Sequence, residues 1–121
     1  MSVQNVDRVG WFQPKMNNRE YRHGYLSAHT QAMLARQMRG MRGEMSQTEF
    51  GLLLGVSQTQ VARFENPRCK GWSLRTMLKI ANKLDVGLIV RFGDFGWFIR
   101  ESGKLGPRYL KPKPWPSGVK P

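Results

Sequence analysis

The sequence predicts a mainly α-helical fold: a bundle of four to five helices, then one short β-strand at 86–92, then an extended basic, proline-rich tail. Three observations predict it. Leu26, Met33, Leu34, Met38 and Met41 recur at spacings of three, four and seven, which gathers them on one face of a helix. Two serine-led capping sequences, Ser46-Gln-Thr-Glu49 and Ser57-Gln-Thr-Gln60, begin eleven residues apart with a glycine between them. After Leu84 the helical period gives way to Val86-Gly-Leu-Ile-Val-Arg-Phe92, whose β-branched content favours a strand.

Length and charge bound the function. A chain of 121 residues suits one domain with flanking segments. We divide it into an arm at 1–18, a folded body at 19–100 and a tail at 101–121. The formal net charge is +12, from 20 basic and 8 acidic residues, so a polyanion is the first partner class and nucleic acid its first member. The lone cysteine, Cys69, excludes an internal disulfide. With His23 and His29 it falls short of a structural zinc set, and no cofactor is expected. It fits a reducing cytosol. No apolar run approaches the roughly 20 residues of a membrane span. Met1–Trp11 lacks the basic-then-apolar order of a signal peptide. The expectation is a soluble, cytoplasmic protein.

In order, the arm is broken by Pro14 and the Asn17-Asn18 pair, and is ordered only if Trp11 and Phe12 dock. Arg19 to Met41 reads as helix. Gly24 weakens its start, predicting a short helix and then a longer one from about Ser27. His29 lies near the apolar face, as a structural rather than a catalytic histidine. Gly40 and Gly43 end the helix. The first capping sequence then opens a helix to about Leu54 that turns Phe50, Leu53 and Leu54 inward. Gly55 takes the left-handed turn and Val56 is buried within it. The second capping sequence opens a helix with Val61 and Phe64 on its inner side. Ser73 caps a further helix whose buried stripe is Leu74, Met77, Leu78, Ala81 and Leu84. The strand at 86–92 needs a mate for its amides, either the arm or the same strand of a second copy. Phe95, Trp97, Phe98 and Ile99 form an aromatic cluster that either seals a dimer or caps the core. Beyond Ser102 lie five of the seven prolines and five cations, a composition that builds no core and should be extended or disordered.

Gln47-x-x-x-Gly51-x-x-x-Gly55-x-x-x-x-x-Val61-x-x-Phe64-Glu65-Asn66 resembles the Cro/CI-type (XRE) helix–turn–helix family of DNA-binding transcriptional regulators. The match covers roughly residues 34–92. The resemblance implies a lambda-repressor-like bundle in which a small residue, Gly51, lets the two helices cross closely. It implies a dimeric repressor that inserts helix 57–65 into the major groove of a palindromic operator. It also implies that Arg39 pairs with Glu65, locking the first long helix to the recognition helix. Dimerisation then falls to the strand residues Val86, Leu88, Ile89, Val90 and Phe92. Two features depart from the family's pattern. The Met41–Met45 connection is one residue longer, and the loop Pro67-Arg-Cys-Lys-Gly-Trp72 carries two extra cations.

On that reading the residue types divide the work. On a wheel of 100° per residue, Val61 and Phe64 point one way while Thr59, Ala62 and Arg63 point the other, with Gln58 at the leading end. Glutamine donates to adenine N7 and accepts from its N6 amine at once, arginine pairs guanine N7 and O6, and the threonine methyl suits thymine. Gln58, Thr59 and Arg63 are therefore the expected base contacts. Gln47, Ser57, Gln60, Arg68 and Lys70 are the expected backbone contacts, with Gln47 placed at a helix N-terminus. Without the motif, the same polar face would be no more than a solvated helix surface.

No catalytic constellation emerges, and the chain is not expected to be an enzyme. Asp94-Phe95-Gly96 spells a kinase metal motif without its companion loops. Ser57 has no histidine base. Two alternatives share the domain: an antitoxin of a type II toxin–antitoxin pair, holding a toxin as a protein partner and autoregulating its operon, and a phage-borne operon repressor of the anti-CRISPR-associated type. A nonspecific architectural DNA binder is a third class, which charge alone allows.

Overall fold

Asn18 sets the start of the longest element. In a computed structural model, which describes residues 13–116, its side-chain oxygen accepts the Tyr21 N–H at 3.0 Å and caps α2 (Arg19–Arg42). A single turn, α1 (Gln13–Met16), precedes it and buries Met16, while Arg22 donates back to the Met16 carbonyl at 3.0 Å. Trp11 and Phe12 lie outside the described residues. α2 runs unbroken through Gly24 for 24 residues, rather than as two pieces. A glycine in a helix interior costs about 1 kcal/mol. The packing of the flanking turns offsets that cost. Gly43, at φ 56°, ends the helix. Gly40 does not; it lies inside α2.

Three short helices complete the core. Both halves of the first capping box form at α3 (Gln47–Leu54): Ser46 Oγ accepts the Glu49 N–H at 3.1 Å, and Glu49 accepts the Ser46 N–H at 2.9 Å. Those bonds from Ser46 hold the Glu49 carboxyl below the usual carboxylate range. Gly55, at φ 75° and ψ 33°, makes the left-handed turn. α4 (Gln58–Phe64) is capped by Ser57 Oγ on the Gln60 N–H at 3.1 Å; only this serine half of the second box is made. α5 (Leu74–Leu84) is capped by Ser73 and stopped by Asp85 in the left-handed region at φ 55°. Phe50, Leu54, Val61 and Phe64 meet Met38, Cys69 and Ile80 in one buried cluster, with Met41, Met45, Val56, Trp72 and Leu84 around it.

Gly51 decides how closely α3 meets the turn. A Cβ there would sit 2.7 Å from the Val56 carbonyl oxygen, a backbone atom that cannot swing away. Gly51→Ala gains about 1 kcal/mol of helix propensity, but overpacking costs about 1–3 kcal/mol. The clash wins. We expect Gly51→Ala to lower the urea midpoint at unchanged m, and a raised midpoint would show that the close approach carries no energy.

Several expectations change. The predicted α5 stripe is rotated: Met77, Ile80, Ala81 and Leu84 keep the three-four spacing and face inward, whereas Leu74 and Leu78 are 56% and 51% exposed. Leu53 of α3 is likewise exposed. No strand forms at 86–92 or elsewhere among the described residues. The segment takes no regular secondary structure, because one chain offers its amides no second strand. Val86 and Leu88 are half-buried against their own chain, while Ile89, Val90 and Phe92 stay exposed.

The aromatic cluster continues as a helix, α6 (Phe95–Ser102), and it covers α2. Phe95 packs edge-on to His23, and Phe98 edge-on to Tyr25 and His29. His29 Nε2 lies 3.1 Å from the Ser102 carbonyl oxygen, a structural contact. The described part of the tail is not free either. Its single turn α7 (Pro107–Leu110) returns to α2, where the Gln37 side chain donates to the Tyr109 carbonyl. Gly40 has no side chain to block that approach: a Cβ there would meet the Leu110 carbonyl oxygen at 2.4 Å. Farther on, the Trp115 N–H donates to the Asp85 carbonyl at 2.9 Å. Composition alone missed this docking because the two apolar residues that anchor it, Tyr109 and Leu110, sit among prolines and cations. No helix of the described residues is long and apolar enough to cross a membrane.

Candidate nucleic-acid interface

The exposed face of α4 is built from its buried one. Val61 and Phe64 are inserted in the core, so the wheel turns Gln58, Thr59 and Arg63 to solvent, with Ala62 half-buried between them. Phe64 is held from behind by Trp72, their rings stacked at 4.8 Å and 25°. Gly55 and Ser57 fix the entry to α4, so its first turn stands at the surface with its free N–H groups outward.

A chain of hydrogen bonds fixes the leading residue. Gln58 Nε2 donates to Gln47 Oε1 at 2.7 Å, and Gln47 Nε2 donates to Glu65 Oε1 at 3.3 Å. Glu65 in turn accepts from Arg42 Nε at 2.7 Å and from the same guanidinium's Nη2 at 3.1 Å. Arg42 gives its remaining arm to the Met45 carbonyl at 2.9 Å. Its bonds to Glu65 raise its pKa above the ordinary arginine value. The pair joins the end of α2 to the end of α4, and Gln47 ties the starts of α3 and α4 to it.

The partner of Glu65 is therefore Arg42, not Arg39, which is exposed and donates to the Gly43 carbonyl at 3.3 Å. α2 runs on to Arg42, and that residue, not Arg39 three positions earlier, stands at the junction with Glu65. The carboxamide link between Gln47 and Gln58 was also missed. Its signal is present in the sequence, since twin capping boxes eleven residues apart place both glutamines at the first position of their helices.

The chemistry left over is specific. Gln58 spends one of its two amide hydrogens on Gln47 and keeps one N–H and its carbonyl. That donor–acceptor pair is what an adenine edge in the major groove requires. Gln47 keeps one N–H outward, so it is a positioning residue first. Ser57 and Gln60 stand exposed beside it. Arg63 is exposed, its guanidinium lying against the loop at Gly71, where a Cβ would come within 2.4 Å of Nη2.

The following loop is shaped by its own first residue. Asn66 Oδ1 accepts the Arg68 N–H at 2.9 Å and its carbonyl accepts the Cys69 N–H at 3.0 Å. Cys69 is buried by that turn, and Arg68 and Lys70 on either side of it are exposed. From Asn66 to Leu84 the chain carries five cations and no carboxylate; of the two carboxylates that flank the segment, Glu65 is paired with Arg42 and Asp85 lies at the far end of α5. The surface around α4 is thus hydrogen-bonding at its centre and cationic at its edge. Searches against family models, curated proteins and solved structures find no match to this chain.

Proposed function

We propose that the chain is a sequence-specific regulator that reads double-stranded DNA, with α3 and α4 acting as a helix–turn–helix of Cro/CI type. The observation that carries the reading is Gln58, held by the Gln47–Glu65–Arg42 chain at the exposed start of α4 with one donor and one acceptor free. A helix docked in the major groove presents its N-terminal residues to the bases, and a side chain already fixed in place loses less freedom on binding. In this reading Gln58, Thr59 and Arg63 choose the sequence. Ser57, Gln60, Arg68, Lys70 and the free N–H of Gln47 hold the phosphates. A second copy pairs through the exposed Ile89, Val90 and Phe92, and the protein acts as a cytoplasmic repressor on a palindromic operator. Selection of sites from random duplex DNA tests it directly. Enrichment of a palindrome with half-sites about 34–36 Å apart is expected; recovery of unenriched sequence sinks the reading.

Two substitutions separate reading from holding. Arg63→Ala should weaken the selected site by about 1–3 kcal/mol and relax one base pair, measured by titration on cognate and scrambled duplexes. An equal loss on both would rule out base reading. Arg68→Ala should weaken all sequences alike and flatten the plot of log K against log salt by about one unit; an unchanged slope would count against a phosphate contact.

A further inference from the structure

We propose a second binding site, for a small organic anion with an aromatic or aliphatic body, in the cleft between α2, the loop at 69–72, the segment at 87–91 and α7. The cleft holds about 710 Å³, within the range of small-molecule sites. Its charge is one-sided. Lys70, Arg91 and Arg108 line it from three separate segments, and no carboxylate lines it. All three are exposed, and Arg91 also lies over the Trp97 ring at 4.8 Å, so an anion in the cleft meets solvent-facing cations with no lining carboxylate to compete for them.

The remaining walls suit an organic body rather than a bare ion. Trp72 and Tyr109 contribute aromatic surface, and Leu88 an aliphatic side. The indole N–H of Trp72 is buried beneath this wall and has no acceptor among the described residues. The site exists only because the tail folds back: α7 brings Arg108 and Tyr109, and its docking at Gln37 and Gly40 sets them in the cleft that Lys70 and Arg91 also line.

The site touches α4 indirectly. Trp72 stacks on Phe64, the last residue of that helix, and Lys70 lies in the loop that follows it. An anion in the cleft withdraws Lys70 from phosphate and lowers DNA affinity. This consequence rests on the function proposed above; occupancy of the cleft does not.

The test uses the full chain and no DNA, so its failure is distinct from a failure to bind an operator. The probe is 1-anilinonaphthalene-8-sulfonate, an aromatic anion whose emission rises on binding, with benzoate and inorganic phosphate as competitors at constant ionic strength. Saturable binding is expected, displaced by benzoate in preference to phosphate. Lys70→Gln/Arg108→Gln should weaken it roughly tenfold or more, since each cation gives a charge-assisted bond. Arg75→Gln/Lys79→Gln, which removes the same charge from α5 outside the cleft, should leave it within about twofold, because exposed charges that make no direct contact are largely screened by salt. Circular dichroism and thermal melting confirm that both variants fold. Equal weakening in both double variants, no weakening in the first, or displacement by phosphate as readily as by benzoate overturns the proposal. A benzoate-saturated protein with unchanged DNA affinity overturns the coupling alone.

Discussion

Phe64→Ala is expected to destabilise the fold by about 3–5 kcal/mol, the range for truncating a buried phenylalanine. Phe64 is 2% exposed and touches both sides of the core: it joins Phe50, Leu54 and Val61 on one side and stacks on Trp72 on the other. Its loss leaves a cavity that short helices, fixed by caps at both ends, close only in part. A domain of this size has roughly 5–15 kcal/mol in total, so the variant stands near the edge of unfolding. Urea titration followed by far-UV circular dichroism measures the loss. Phe64→Leu, which keeps most of the volume, should cost under about 1.5 kcal/mol. A loss below 1 kcal/mol for the alanine variant would mean that the Phe64–Trp72 stack is not part of the folded core. The proposed DNA-reading surface depends on the same contact. α4 has seven residues, too few to be helical alone, so Val61 and Phe64 are what hold Gln58 and Arg63 in register.

The helices and caps around α3 and α4 were legible because their signals are local. Ser46, Ser57 and Ser73 each sit beside the amide they cap, and Gly55 adopts the left-handed turn its lack of a side chain permits. The inward pair Val61 and Phe64 follows from period alone. What was not legible depends on distant partners. Arg39 and Arg42 lie three positions apart near the end of one helix, and pattern does not distinguish them as partners of Glu65; only the folded position of the end of α2 against Glu65 does. The strand at 86–92 was read from β-branched residues, which describe a pleated surface and not the presence of a second strand. Tyr109 and Leu110 looked like part of a loose tail because the complementary feature, the bare backbone of Gly40, lies about seventy residues away. The rotated stripe of α5 has the same origin: Leu74 and Ile80 are equally apolar, and only the position of Phe50 and Leu54 across the core decides which is covered.

Glu65→Ala is expected to affect both stability and the proposed reading of DNA. Arg42 and Glu65 are 15% and 10% exposed in their side chains, so the pair is largely removed from water but not sealed. Deleting the carboxylate removes two bonds from Arg42 and one from Gln47, and leaves a guanidinium with the Met45 carbonyl as its remaining partner. A fully buried pair broken on one side costs about 3–5 kcal/mol. At the exposure seen here we expect about 2–3 kcal/mol, the range for charged hydrogen bonds lost with partial access to water. Arg39→Ala is the control for register. Its guanidinium is exposed and bonds only within its own helix end, so a change within about 0.5 kcal/mol is expected. If Arg39→Ala proved as costly as Glu65→Ala, the pairing would be the one the family resemblance implies, and Arg42 would be a bystander. With Arg42 and Glu65 in contact, a double-mutant cycle between them should give a coupling of about 1–3 kcal/mol, and its absence would count against the pair. For DNA, losing Glu65 frees Gln47, and Gln47 no longer orients Gln58. The side chain must then be ordered on binding, a cost of about 0.5–1.5 kcal/mol for each one immobilised. Affinity for the selected operator should fall about tenfold, while affinity for scrambled duplex should hold, since Arg68 and Lys70, the cations proposed to meet phosphate, are untouched. Parallel titrations on the two duplexes separate the cases: a loss shared by both would place Glu65 in general folding and not in the positioning of Gln58.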